Sequence, residues 1–170
     1  MTEKPAPGTT LVLGLGNLLL GDEGFGIEVA RRLKEAKLPS YVRVEEGGVG
    51  GFNLLGYLDG VARLLIVDAM MTDLPPGELL LFKPGATFGE PGKRILSFHQ
   101  VGAWELVQMW GLLGYEPETF FLVTRPEKLE WSMELSPPVQ IAAGRAVNLI
   151  VEMCQENFAR LERSPGLCTL

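Results

Sequence analysis

The sequence predicts a three-layer α/β/α domain built on a mostly parallel, twisted sheet of about five strands, with one antiparallel edge strand. Three observations carry this expectation. Short apolar runs at residues 11–15 and 63–68 read as strands buried on both faces. Segments with apolar residues three or four apart, beginning at Ile27 and at Val139, read as helices that alternate with strands. A turn rich in glycine joins the first strand to the first helix, as happens where parallel sheets bind ligands at the carboxyl ends of their strands. With 170 residues, 46% of them hydrophobic, the chain is read as a single domain over 1–170, with flexible ends near 1–9 and 163–170.

The elements follow in order. Residues 11–15 form the first strand, and in the first helix Ile27 shares a face with Ala30, and Val29 with Leu33. Residues 37–40 end that helix, and residues 41–45 alternate apolar with charged positions like a half-buried strand. Glu46-Gly47-Gly48-Val49-Gly50-Gly51 holds four glycines in six residues and reads as a mobile loop, either a plain crossover or a surface that reshapes around a peptide. Residues 52–58 form a short helix with Phe52, Leu55, Tyr57 and Leu58 inward. The run RLLIVD at 63–68 is a buried central strand ending in Asp68. An acid there faces the crevice where open α/β sheets bind ligands, although a helix cap or loop solvator can occupy the same position.

A proline-containing loop leads to a strand at 78–82, taken as the antiparallel edge, and residues 83–93 show no periodicity and read as surface loop. His99 is the one histidine in the chain. It opens a helix with Val101, Trp104, Leu106, Val107 and Trp110 inward, stopped near Gly114. A solitary histidine is commonly a surface or cap residue, but this junction aims at the crevice that Asp68 should line. Residues 118–123 give a further strand. Ser136-Pro137-Pro138 then signals the start of a long amphipathic helix, with Val139, Ala142, Ala146, Leu149, Ile150 and Met153 toward the sheet. Trp104, Trp110 and Phe158 are assigned to the core.

Charge narrows the partners. The net charge is −6, and basic residues form only isolated pairs such as Arg31-Arg32 and Lys93-Arg94. No nucleic acid and no anionic membrane surface is expected as a partner, since clustered positive charge holds both. The first ten residues lack the pattern of a secretory signal, and the apolar runs fall far short of the about 20 residues a membrane span needs. A cytoplasmic location is expected. Cys154 and Cys168 lack zinc or redox spacing and read as ordinary thiols.

The turn between the first strand and helix decides the chemistry. A dinucleotide fingerprint would need glycine at position 19, which is Leu19, and a P-loop would need a lysine, which the turn lacks. Asp22 and Glu23 would also repel a phosphate. The turn suits a cation.

That turn, G-L-G-N-L-L-L-G-D-E-G-F-G from Gly14 to Gly26, resembles the N-terminal signature G-x-G-N-x-L-x-x-D-E-x-x-G of the hydrogenase maturation proteases. The resemblance continues with V-D-A at Val67, Asp68 and Ala69, and with H-Q-x-G starting at His99. It ends with PEKLEWSMELSPPV at 126–139, against the family's P-x-x-L-x-x-x-x-x-L-S-P-x-V. These matches run in the family's order. The resemblance implies an endopeptidase that acts on the large-subunit precursor of a nickel-iron hydrogenase. It recognises nickel already installed there and cleaves a C-terminal extension just past the metal-binding cysteine motif. Glu23, aligned with the second acid of D-E, then joins Asp68 and His99 as metal ligands. The family's D-G-G, beside the cleft, becomes Glu46-Gly47-Gly48 here, which makes Gly47, Gly48 and Gly50 candidate substrate-binding positions.

Two carboxylates and an imidazole suit a borderline divalent ion: nickel supplied by the substrate, with zinc or another divalent ion able to occupy the same site. Asp22 is read as a cap for the following helix or a support for the loop, and Asp22 or Glu46 as a carboxylate that assists proton transfer. The chain contains no G-x-S-x-G elbow, no H-E-x-x-H motif and no suggestive Cys-His pair. Two other functions fit less of the pattern: a non-catalytic metal-sensing chaperone of the same precursor, and a small nucleotide-binding domain.

Overall fold

The computed structural model describes residues 8–49, 52–84, 98–160 and 168–169, without the side chains at 52–53, 98–102, 104 and 168–169. The apolar runs pair as the sequence indicates. Strands β1 (Thr9–Leu15), β2 (Val42–Gly48), β3 (Val61–Ala69) and β5 (Glu118–Thr124) are mutually parallel, while β4 (Leu79–Phe82) runs antiparallel to β5. A two-residue strand, β6 (Cys168–Thr169), pairs with β4. The sheet order is β2-β1-β3-β5-β4-β6.

Alternation along the strands builds two cores. Val12, Leu65, Val67 and Leu122 face a layer formed by α1 (Phe25–Glu35) and α3 (Pro137–Gln155). Leu11, Leu13, Leu64, Ile66, Phe121 and Val123 face the opposite layer, which holds α2 (Phe98–Leu112) and the short 3-10 turn Phe52–Tyr57. Because side chains of one strand alternate between faces, a one-residue difference in position decides which layer a functional residue meets.

Helix ends follow local chemistry. α2 closes on Gly114, whose φ is +88°. The Gly114 N–H donates to the Gly111 carbonyl at 3.0 Å, and the Tyr115 N–H to the Trp110 carbonyl at 2.9 Å. This is the paired bond of a left-handed glycine C-cap. α3 opens with Pro137 and Pro138 after Ser136, as its sequence predicts. Its buried face is Val139, Ala142, Ala143, Ala146, Ile150, Met153 and Cys154, with Leu149 only partly covered. Burial pushes the Cys154 thiol up to about 11, which keeps it an inert apolar residue.

Three expectations need correction. The strand expected at the edge, β4, is second from the edge because residues 168–169 pair outside it. That pairing, together with Thr9 at the start of β1, also shortens the segments expected to be flexible. The loop expected from Glu46 begins later, since Glu46, Gly47 and Gly48 finish β2 against Gly14 and Leu15. Glycine has little strand propensity of its own, and here the neighbouring strand supplies the pairing. Among the described residues, no helix is long and apolar enough to cross a membrane. Residues 85–97, which include most of the expected surface loop, and Gly50 lie outside the described residues.

Candidate active site

The sheet order contains one reversal. From β1 the chain moves outward to β2, then returns to place β3 on the other side of β1. At such a reversal the two connections leave over opposite faces, and a crevice opens beyond the carboxyl ends of the two central strands. Glu23 follows β1, and Asp68 is the penultimate residue of β3.

Missing side chains fix how tightly the turn sits there. A Cβ at Gly26 would lie 2.2 Å from the carbonyl oxygens of both Leu15 and Val67, and one at Gly14 would lie 2.1 Å from the Gly26 oxygen. The first turn of α1 therefore rests directly on the backbones of β1 and β3. Gly16, with φ +141°, lets the chain fold back so that the Asn17 N–H reaches the Glu23 carbonyl at 3.1 Å. The acids then fall in a 3-10 turn, Gly21–Gly24, held against the sheet edge.

Asp68 is 7% exposed, and its Oδ1 accepts the Ala69 N–H at 2.8 Å. Burial pushes its carboxyl up to about 7. The Ala69 hydrogen bond opposes that rise, and the negative charge of Glu23 adds to it. A carboxylate raised by both desolvation and a like charge is the pattern of a site prepared for a cation or a proton. The charge of one expected ligand, Glu23, is thus felt by another, Asp68.

His99 lies in the first turn of α2, and its side chain is outside the described residues. α2 packs through Ala103, Leu106 and Trp110 on the sheet face reached by Leu64 and Ile66. By alternation Asp68 belongs to that same face. A short connection links the end of α2 to the start of β5. At about 1.5 Å per residue the helix carries its first turn roughly 20 Å back toward the carboxyl ends of the strands. Among the described residues no group of three or more His, Cys, Asp or Glu side chains could hold a metal.

Asp22 has a different role from its neighbour. It is fully buried, and Oδ2 accepts the Glu127 and Lys128 N–H groups, each at 2.8 Å, and the Ser136 hydroxyl at 2.7 Å. Oδ1 accepts the Ser136 N–H at 2.7 Å. Of the two structural roles expected, cap and loop support, this is the second: no side chain caps α1. Four donors occupy the carboxylate and pin it in place. Ser136 is the partner that sequence reading missed. It stands at the N-cap of α3, but no side-chain cap bond forms. Its hydroxyl donates to Asp22 instead, and neither proline at the first two helical positions has an N–H to offer.

Glu46 is also corrected. Val42 and Val44 pack toward the α1 and α3 layer, and Glu46 follows them to that face. There it pairs with Arg31 at 3.0 Å and Lys34 at 3.5 Å. It points away from the face that carries Asp68, so it is no partner in proton transfer at the crevice. Gly47 and Gly48 remain beside the site, with the Gly48 carbonyl accepting the Gly16 N–H at 2.8 Å.

Comparison with known proteins places the chain in a family. A family model described as HycI, hydrogenase maturation protease, matches residues 27–153. The hydrogenase expression/formation protein HupD of Bradyrhizobium diazoefficiens is 34% identical over 149 residues, covering 86% of this chain and 78% of that protein. The hydrogenase 2 maturation protease of Escherichia coli is 31% identical over 150 residues, covering 86% of this chain and 91% of that protein. The solved structure of the hydrogenase maturating endopeptidase HybD from E. coli superposes with a TM-score of 0.75 at 29% identity, covering 88% of this chain and 93% of its own. HybD from Thermococcus kodakarensis, a NiFe hydrogenase maturation protease, gives 0.72 at 30%, covering 86% and 99%. By sequence and by sheet architecture, the chain belongs to the hydrogenase maturation protease family, and it is a hydrolase of the endopeptidase kind.

Proposed function

We propose that the protein removes the C-terminal extension of a nickel-loaded nickel-iron hydrogenase large-subunit precursor and uses the substrate's nickel to recognise it. The observation that carries this reading is the buried Asp68 at the carboxyl edge of the sheet, pushed up to about 7 by burial and further by the charge of Glu23. Two acids that repel each other without a cation gain most when one arrives. Glu23, Asp68 and His99 would complete the shell of a nickel ion that the substrate brings, with zinc able to take the same donors.

Hydrolysis adds water across the scissile amide: oxygen bonds to the carbonyl carbon, and a proton goes to the departing nitrogen. The substrate's nickel would polarise that carbonyl or acidify the attacking water. With Asp22 saturated and Glu46 on the other face, the Glu23–Asp68 pair is left as the described carboxylate set facing the reaction. A carboxyl near 7 exchanges protons efficiently at neutral pH. The cytoplasm, where the precursor matures, is the proposed location.

The test is incubation with nickel-loaded and nickel-free precursor, read by intact mass. Loss of the extension from the loaded form alone is expected. Cleavage of both forms alike would remove nickel recognition from the proposal, and binding without any mass loss would point to a chaperone.

A further inference from the structure

The chain pairs two loops beside the acid turn. Leu20 and Ser132 form an isolated parallel bridge, in which the Gly21 N–H donates to the Ser132 carbonyl at 2.7 Å and the Ser132 N–H to the Leu19 carbonyl at 3.0 Å. Leu19 and Trp131 each immediately precede a bridged residue, so the bridge brings these two segments to neighbouring positions. The large apolar residues of these loops face water: Trp131 is 81% exposed, Met133 77%, Leu19 50% and Leu129 48%. Two segments distant in sequence thus contribute to one apolar rim, of the kind that marks an interaction site on a protein surface. It is not loose, because Asp22 and the bridge tie residues 127–136 to the turn that holds Glu23.

We infer that this rim is the docking surface for the C-terminal extension of the precursor, and that it takes a segment mixing apolar with basic side chains. The inference rests on the protease reading above. Two observations select this occupant. The rim is continuous with the acid turn, so a peptide whose scissile bond reaches Glu23 and Asp68 must pass beside it. Its border is acidic, with Glu127, Glu130 and Glu134 exposed against the single Lys128, which favours positive charge on the partner. Trp131 supplies the aromatic anchor, which the docked segment would cover.

Trp131→Ala/Met133→Ala, Glu130→Gln/Glu134→Gln and Glu23→Gln are compared with the wild-type chain on nickel-loaded precursor. The readouts are KM, kcat, the Kd for precursor, and the elution volume of each free protein. Because Trp131 and Met133 are exposed, the double variant should melt like wild type. Its KM and Kd should rise about tenfold or more with kcat kept, as for loss of an interface anchor, whereas Glu23→Gln should lose kcat. The double glutamine variant should show a smaller rise and a flatter salt dependence. Unchanged KM and Kd in Trp131→Ala/Met133→Ala would overturn the inference. So would a concentration-dependent dimer that this variant abolishes without weakening precursor binding, which would assign the rim to a second copy of the chain. If wild-type protein binds precursor without cleaving it, the protease reading fails while the Kd arm still decides the docking surface.

Discussion

Asp22 and Ser136 are joined twice, through the Ser136 N–H to Oδ1 and the Ser136 hydroxyl to Oδ2, both at 2.7 Å, although 114 residues separate them. The acid turn after the first strand and the entry to the last helix therefore share one buried carboxylate. Asp22→Asn should cost roughly 2–4 kcal/mol in urea unfolding, because an NH2 group would face backbone donors where an acceptor is required. Ser136→Ala, which removes one charge-assisted bond, should cost about 1–2 kcal/mol. Equal stability of Asp22→Asn and wild type would contradict a structural role for this carboxylate.

Asp68 should make the protein less stable as pH rises. Its carboxyl lies at about 7 in the folded chain against 3.8 as the ordinary value, so the folded state holds the proton more tightly than the unfolded state does. Stability is then fullest below about pH 4 as far as this group is concerned, and is lost as pH climbs through 7. Asp68→Asn imitates the protonated form and keeps an oxygen for the Ala69 N–H. It should match wild type near pH 4 and exceed it by about 2–4 kcal/mol above pH 8, since each tenfold difference in proton affinity between the two states is worth about 1.4 kcal/mol, while processing is lost. Urea titrations at both pH values give the comparison, and a variant no more stable at the higher pH would refute the raised carboxyl.

Glu23→Gln should leave the fold intact and abolish processing. Removing its charge should also move the Asp68 titration midpoint downward from about 7, because Glu23 is one of the causes that raise it. A carbon-13 carboxyl titration by NMR measures that midpoint directly. No displacement would mean that the two side chains do not sense each other.

Glu46→Gln should have little effect on processing. Its partners Arg31 and Lys34 are half-exposed, and such pairs contribute roughly 0–1 kcal/mol. A large fall in kcat at unchanged stability would return Glu46 to the reacting site.

Gly26→Ala should be among the most damaging small substitutions. The added methyl would meet two backbone carbonyl oxygens at 2.2 Å, and backbone has no rotamer with which to give way. Loss of several kcal/mol, of the overpacking kind, together with impaired processing is expected in thermal melts and mass assays. A variant with wild-type melting would mean that α1 can ride up without consequence.

Much of the layering was legible because burial leaves a periodic trace. The run RLLIVD and the three-and-four spacing after Val139 each have one economical reading. What was hidden depends on contacts between remote segments. Ser136 looks like a helix cap in the sequence, and its bonds to Asp22, 114 residues away, appear only in the fold. Glu46-Gly47-Gly48 looks like loop because its pairing partner, the stretch around Gly14, is supplied by another strand. Glu46 and Asp68 are both acids near strand ends, and only the alternation of their own strands sends one to the α1 side and the other to the α2 side. Only the family alignment separates the neighbouring acids Asp22 and Glu23 in the sequence. In the fold burial divides them as well, with Asp22 fully buried under four hydrogen bonds and Glu23 partly exposed.

The bare contact between positions 14 and 26 acts as a spacer of zero thickness. It sets how near a charge carried beside the first turn can come to one rooted in the central strand. A carbon added at either glycine would lift the first turn off the sheet and part the two acids without altering either one, so a position that bears no functional group governs the spacing of those that do.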